Sequence, residues 1–419
     1  MTANAAPSPT PTSNRRIGMI TLFSTEMWER FSFYGMKALL VPFLISSFGF
    51  SEAAGKEALG TYMLLVYLSP LFCAVIADRF LNLRMSIYVG AIVMAFGHLL
   101  MSWHSATFAG LALIVVGNGF FKPCATNMVG ALYPERDPDR SSAYSFFYFG
   151  INVGAFLSPF LCGWLRDRYG FEWGFVAAGI GMLIGLAVFM IYEEKLGTAG
   201  FRDDEDSSRH RISASSWRLV LGISLAATAV SCALAFGRYY LNFAWTPKWL
   251  LGDDVSQTML FFVRMTVVGF MLWLYLKLVP KSEESRPLER KEIDRIWVIG
   301  AVSFAMFLLV IALEQAGGTL NLFAKNHTQE TFLGVKVPYE FYQSANPLAV
   351  LLFALFTMWF WKVLDKKGIH DLQKLGPGIL IVGLVFMLIK GAESAASGGN
   401  RVSPAWLLSI YTCIAAAEV

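Results

Sequence analysis

The chain has 419 residues, of which 56% are hydrophobic and 15% are charged, and its net charge is +4. Soluble domains are usually about 45–50% apolar and about 25% charged, so the composition excludes an ordinary soluble domain and indicates that lipid is the solvent. The small net charge does not indicate nucleic-acid binding, and Cys73, Cys124, Cys162, Cys232 and Cys413 lie in apolar runs without CxxC spacing, which favours free buried thiols over a disulfide framework or a metal site.

Apolar stretches follow a Pro-, Thr- and Ser-rich tail at residues 1–16, which lacks the apolar core of a cleaved signal peptide. A helix needs about 20 apolar residues to cross a hydrocarbon core about 30 Å thick. Twelve stretches meet or approach this length: 17–47, 57–80, 85–103, 107–133, 142–166, 173–192, 216–237, 256–279, 293–317, 340–364, 376–395 and 403–419.

Lysines and arginines are unevenly distributed between the two sides of these predicted spans. Five lie in 193–218 and five in 281–295, two charged segments that we expect to be solvated linkers. Because cytoplasmic segments carry an excess of Lys and Arg, the distribution predicts that the N-terminus lies in the cytoplasm. The layout is six spans, two further apolar helices and a second set, which is typical of the two bundles of the major facilitator architecture.

The first predicted span carries charges near its middle. Glu26 lies about nine residues into the span, and at 1.5 Å per residue this is a depth of roughly 14 Å. Glu26, Glu29 and Arg30 are spaced i, i+3 and i+4 and share one helix face, which Lys37 continues. A charge at the centre of a membrane helix costs about 2.5–3.5 kcal/mol, so this face must turn toward the protein interior or water. The alternatives are a structural ion network and a proton or substrate relay, of which the relay is favoured.

The same stretch, EMWERFSFYG, resembles the ExxERFxYYG signature of the proton-coupled oligopeptide transporter family. Later segments are similar to further spans of that family in the same order. They are YLSPLFCAVIADR (67–79), GNGFFKPCATNMVGALYP (117–134), FFYFGINVGAFLSP (146–159), ALEQAGG (312–318), YQSANPL (342–348) and the final AAAEV, which ends with Glu418 and Val419.

The resemblance implies an all-α membrane protein with the major facilitator fold, two six-helix bundles and a two-helix insert between them. It makes the last stretch span ten, so the C-terminal bundle is expected to be incomplete in this chain. The implied domains are a disordered cytoplasmic tail (1–16), an N-terminal six-helix bundle (17–192), a cytoplasmic linker (193–215), an inserted helix pair (216–280), a second linker (281–292) and a C-terminal bundle with spans seven to ten (293–419).

The function implied by the resemblance is import of di- and tripeptides together with protons across the bacterial cytoplasmic (inner) membrane. The expected partners are peptides, protons and membrane lipid, with no nucleic acid, no cofactor and no metal, and the expected state is a monomer. A peptide zwitterion needs a positive pole, a negative pole, amide groups and roomy walls in its binding site.

The resemblance also assigns roles to residues. It implies proton coupling by Glu26, Glu29, Arg30 and Glu314, substrate binding by Tyr34, Lys37, Tyr67, Lys122, Asn152, Asn346 and Glu418, and gating by Lys37, Glu314, Lys122, Glu418, Asp78 and Arg79. Glu314 is expected to pair with Lys37 when the outer gate is closed. Glu418 is expected to bind the peptide ammonium and to pair with Lys122 when the site is empty.

Some of these positions also have simpler interpretations. Asn346 precedes Pro347 and could serve a helix kink, while Tyr34 and Tyr67 could simply pack. Lys37 stands where the family more often has arginine, so the charge stays and the bidentate fork is lost. Phe33 stands where the signature often has tyrosine, which removes a hydroxyl from the pocket wall.

Three other functions remain open at this stage. The same fold could carry another small solute, or the chain could be a non-transporting membrane sensor or scaffold. An intramembrane enzyme is disfavoured because GxSxG and HExxH motifs and any nucleophile–base pair are absent from the sequence.

Overall fold

The computed structural model describes residues 12–202, 212–213, 215–226, 290–332, 334–365, 371–399 and 401–419. Long helices dominate this part of the chain. In chain order they are α1 (Thr12–Phe48), α2 (Glu52–Phe80), α3 (Leu83–Met101), α4 (Thr107–Leu132), α5 (Arg140–Tyr169), α6 (Phe171–Tyr192), α7 (Arg290–Glu314), α8 (Thr319–His327), α9 (Ala345–Asp365), α10 (Asp371–Ala396) and α11 (Ala405–Glu418). Residues 215–226 are also helical, and two short strands, β1 (Thr331–Phe332) and β2 (Val335–Lys336), pair antiparallel.

Six of the described helical segments are long and apolar enough to cross a membrane. They are Asn14–Phe48, Leu83–Met101, His104–Leu132, Arg140–Tyr169, Phe171–Leu196 and Gly376–Ala396. The chain is therefore a multi-pass membrane protein that is almost wholly helical. The predicted span 256–279, the second half of 216–237 and most of the second linker lie outside the described residues.

Helices α1 and α4 lie at the centre of the first six helices: α5 and α6 pack against α1, and α2 and α3 pack against α4. Small residues allow this packing, because a Cβ atom on Gly154 of α5 would lie 2.2 Å from the carbonyl oxygen of Met27 on α1. Close approach of helix backbones through small residues is the usual way membrane helices associate. The Gly90 and Gly117 pair does the same between α3 and α4, where each added Cβ would lie 2.7 Å from the other's carbonyl oxygen.

Several predicted boundaries differ from the structure. Helix α1 begins at Thr12, inside the predicted disordered tail 1–16, where Arg15 pairs with Asp137. Residues Tyr339–Ser344 form a 3-10 helix, and α9 begins only at Ala345, with Pro347 in its first turn. Proline is tolerated there because the first backbone N–H groups of a helix have no partner within the helix. The short helix α8 was not predicted, because its nine residues are too few and too mixed in polarity to resemble a span.

The segment after α6 is less solvated than predicted. Glu193 and Leu196 lie in a 3-10 helix and are 4% and 0% exposed. Arg84, at the start of α3, explains this burial: its guanidinium donates hydrogen bonds to the carbonyl oxygens of Glu193 (3.1 Å), Gly197 (2.6 Å) and Ala199 (2.8 Å). The first residues of the predicted linker are thus packed against the helices α1–α6.

Candidate functional site

Two carboxylates and one guanidinium lie buried together on α1, as the i, i+3, i+4 spacing predicts. The Arg30 side chain donates from Nη2 to Glu29 Oε1 at 2.6 Å, and its Nε also binds Glu29. The same Nε lies 3.5 Å from Glu26 Oε1. Both carboxylates are 0% exposed, and the guanidinium also lies over the ring of Phe33 at 4.8 Å. The Arg30 guanidinium therefore forms ion pairs with two buried carboxylates.

A lysine from α4 supplies the second cation. Lys122 Nζ lies 3.2 Å from Glu26 Oε1. The other carboxylate oxygen of Glu26, Oε2, is buried without a hydrogen-bond partner in the described part of the chain. We call Glu26, Glu29, Arg30 and Lys122 the central charge cluster; its formal charges sum to zero.

The predicted pair between Lys37 and Glu314 is formed. Lys37 Nζ lies 2.8 Å from Glu314 Oε2, and the Tyr67 hydroxyl donates to Glu314 Oε1 at 3.1 Å. The contact joins α1 and α2 to the last residue of α7. Gly317 packs closely against the Lys37 side chain, since an added Cβ would lie 2.7 Å from Lys37 Cε.

Glu418 has a different partner from the one predicted. The hydroxyl of Tyr148 on α5 donates to Glu418 Oε1 at 2.6 Å, and Lys122 binds Glu26 instead. The Asn152 amide donates to the carbonyl oxygen of Tyr148 at 3.1 Å, so its donor is directed to its own helix. The predicted Lys122–Glu418 pair is thus absent in this conformation, because Lys122 is directed toward α1.

Tyr34, Asn346, Asp78 and Arg79 are the remaining predicted site residues. Tyr34 is half-buried and packs edge-on against Phe33 with ring centroids 5.4 Å apart. Asn346 is half-buried in the first turn of α9. Asp78 and Arg79 lie in the last turn of α2, and their side chains lie outside what the structure describes.

An ion pair that the sequence did not reveal joins α5 to the 3-10 helix before α9. Arg166 Nε and Nη2 donate to the two carboxylate oxygens of Glu340 at 2.8 and 2.5 Å, and Glu340 is fully buried. The guanidinium also covers the ring of Tyr339 at 4.5 Å. Burial raises the pKa of Glu340 above its ordinary value, and Arg166 acts in the opposite direction. The sequence signal was weak, since both residues stood in or beside a predicted loop.

Further contacts surround this pair. The Ser344 hydroxyl donates to the carbonyl oxygen of Phe156 at 2.8 Å, and the rings of Phe160 and Phe341 lie 4.7 Å apart. We use far side for the end of the molecule opposite the start of α1, and tail side for the other end. The far-side half of α5 thus packs against the 3-10 helix that precedes α9.

The comparisons with known proteins agree with one another. A family model described as the POT family matches residues 84–231 and 271–419. The peptide transporter YePEPT of Yersinia enterocolitica is 30% identical over 409 residues, which cover 92% of this chain and 76% of that protein. A di-/tripeptide transporter of Lactococcus lactis is 26% identical and covers 96% of this chain and 80% of the relative. A crystal structure of peptide transporter POT in complex with sulfate has a TM-score of 0.74 at 29% identity, covering 96% of this chain and 79% of that one.

Proposed function

Because the chain belongs to the POT family, it is a peptide transporter, and we propose that it imports di- and tripeptides together with protons by alternating access. We place its N-terminus in the cytoplasm and the far side outside the cytoplasmic membrane, and we take the working unit to be a monomer. The proposed fold is the major facilitator fold, with bundles at 17–192 and 293–419, linkers at 193–215 and 281–292, and the insert at 216–280.

The Lys37–Glu314 pair is the observation that carries the coupling proposal. It connects the first bundle to the second on the far-side half, with 2.8 Å between Nζ and Oε2. While both groups are charged, their attraction holds the two bundles together. A proton on Glu314 removes the anion, frees Lys37 and allows the far side to open. Proton binding and opening are thereby linked, which symport requires.

The central charge cluster supports a second proton step. Glu26 and Glu29 share Arg30, and Glu26 Oε2 is buried without a partner in the described part of the chain. A buried oxygen without a donor is a place where an added proton costs no existing hydrogen bond. If that proton neutralises Glu26, Lys122 loses its partner and becomes available to a substrate carboxylate.

The peptide itself would lie between opposite charges. Lys122 is 34% exposed while it binds Glu26, so it can reach a ligand without a large movement. Glu418, held by the Tyr148 hydroxyl, would receive the peptide ammonium. We assign Tyr34, Tyr67, Asn152 and Asn346 to the surrounding wall and Lys37 to its far end.

We also propose that Asp78 and Arg79 belong to a gate on the tail side. They stand at the end of α2 next to the turn into α3, where Arg84 already binds the segment after α6. Charged residues at this turn would control how closely the tail-side helix ends approach.

The test is uptake of labelled dialanine into proteoliposomes that contain the full chain, with an imposed inward proton gradient. Accumulation driven by the gradient is expected for the unchanged protein, and Glu26→Gln should abolish it. The matched control is Glu393→Gln, which removes an exposed carboxylate that pairs with Lys390 three residues away. Uptake that does not depend on the proton gradient would contradict the proposal. So would accumulation by Glu26→Gln that equals that of the unchanged protein.

A further inference from the structure

A second pocket opens on the far side, away from the central charge cluster. Its volume is about 450 Å³, within the size range of small-molecule sites. It lies where the far-side end of α5 meets α8, the hairpin of β1 and β2, and the loop before α11. The proposed transport function assigns no role to it.

The pocket wall carries more positive than negative charge. Arg166, Lys325, Lys336 and Arg401 line it, against the carboxylates of Asp167 and Glu330. Arg401 binds Glu330 with 2.9 Å between Nη1 and Oε1. Lys325 and Lys336 have no ion pair within the described residues. An anion that enters would therefore meet two lysines whose charge is not already neutralised.

Tyr342 also belongs to the pocket wall, although its hydroxyl is buried. Tyr342 is 5% exposed, and its hydroxyl makes no hydrogen bond in the described part of the chain. Two lysines without an ion pair among the described residues fit a carboxylate, which accepts several hydrogen bonds and carries the opposite charge.

Arg166 connects this pocket to the ion pair with Glu340. Two of its donors, Nε and Nη2, bind Glu340, whereas Nη1 lies 3.4 Å from Asp167. A carboxylate in the pocket competes with Glu340 for the same guanidinium. Occupancy of the pocket would thus weaken the contact that joins α5 to the chain before α9.

We propose that the far-side pocket is an entrance site that binds the terminal carboxylate of an incoming peptide. This inference rests on the proposed function, since it takes its ligand from it. The peptide meets Lys325 and Lys336 first, and its carboxylate loosens the Arg166–Glu340 pair before the central site becomes accessible.

Fluorine NMR on the full chain in nanodiscs provides a direct measurement. A trifluoromethyl label on Gln329→Cys, an exposed pocket residue, reports occupancy, with Cys232 and Cys413 replaced by Ala. Cys73, Cys124 and Cys162 are buried. Dialanine should shift the label in a saturable way, dialanine amide should not, and acetate should compete with dialanine.

Variants separate this pocket from the central site. The double substitution Lys325→Gln/Lys336→Gln should weaken the dialanine response by roughly tenfold or more, because two charge-assisted contacts are lost. Glu418→Gln should leave the response in place, as should Lys390→Gln, which removes an exposed lysine elsewhere.

The outcomes that overturn the inference differ from those that overturn transport. A response that disappears with Glu418→Gln and survives the double lysine substitution would mean that the label senses only the central site. If inorganic phosphate displaces dialanine as effectively as acetate does, the pocket is a general anion site and not a carboxylate site. If dialanine binds the pocket as described while proteoliposomes show no uptake, the proposed transport of peptides fails and carboxylate binding stands.

Discussion

Arg166 and Glu340 face each other through two parallel hydrogen bonds of 2.8 and 2.5 Å although 174 residues separate them in the chain. Replacing Arg166 by Gln leaves a fully buried carboxylate without its cation. Loss of one partner from a buried pair costs about 3–5 kcal/mol, and because Arg166 is 15% exposed we expect the lower end of that range. The thermal unfolding midpoint of Arg166→Gln should fall clearly, whereas Arg168→Gln, at an exposed neighbour, should leave it unchanged.

The same substitution should make stability depend on pH. Burial raises the pKa of Glu340 above the ordinary 4.5, and the substitution removes the guanidinium that counteracts this. A carboxyl whose folded-state pKa is raised binds more protons folded than unfolded, so its contribution to stability falls as pH rises from the unfolded pKa through the folded one. The deficit of Arg166→Gln relative to the unchanged protein should therefore be larger near pH 8 than near pH 5. Thermal unfolding in a pH series checks this, and a deficit that shrinks toward high pH would contradict it.

Glu314→Gln should separate transport from its driving force. The amide resembles the protonated carboxyl in shape and lack of charge, yet it cannot release a proton. We expect gradient-driven accumulation of dialanine to fall by more than about tenfold, while exchange of labelled for unlabelled dialanine without a gradient continues. Paired uptake and exchange assays measure both rates. If the two fall together in Glu314→Gln, the residue serves binding or folding rather than coupling.

Glu418→Gln should remove discrimination for the peptide ammonium. The carboxylate accepts a hydrogen bond of 2.6 Å from Tyr148 and is the proposed negative pole. Its loss should raise the KM for dialanine by roughly tenfold, in keeping with one charge-assisted contact. N-acetyl-dialanine, which has no ammonium, should compete equally well against the variant and the unchanged protein. Tyr148→Phe should have a smaller effect in the same direction, because the carboxylate stays but loses its orientation.

Gly154→Ala should weaken the contact between α1 and α5. The new Cβ would lie 2.2 Å from the carbonyl oxygen of Met27 and 2.9 Å from the backbone nitrogen of Phe31, so the helices must move apart. Overpacking of this kind costs about 1–3 kcal/mol. Gly383→Ala is the matched control, because nothing lies within 4 Å of the Cβ that it adds. A thermal midpoint that is equal in the two variants would show that α1 and α5 tolerate the extra separation.

Some of these features could be predicted from the sequence and others could not. The charges in α1 were visible because each is costly in lipid, and their spacing shows that they share a helix face. The pairing of Lys37 with Glu314 followed from the family resemblance, which relates residues far apart in the chain. By contrast, Tyr148 stands in a run of aromatic residues where any ring could simply pack, and only the fold brings its hydroxyl to Glu418.

The Arg166–Glu340 pair could not be predicted from the sequence for a different reason. Arg166 and Glu340 stand at helix ends, where a charged side chain is ordinarily solvated and carries no pattern. Their burial depends on how α5 meets the turn before α9, which is a tertiary property. The choice of Glu26 over Glu418 as partner of Lys122 likewise depends on the conformation, because both carboxylates are chemically suitable.

The contacts of Arg84 fix the segment after α6 to the start of α3. Three carbonyl oxygens between residues 193 and 199 bind this one side chain, and the Tyr88 hydroxyl donates to Glu193 Oε2 at 2.9 Å. Residues 193–199 are therefore fixed to helix α3. For the alternating access proposed above, we expect this segment to move together with the helices α1–α6.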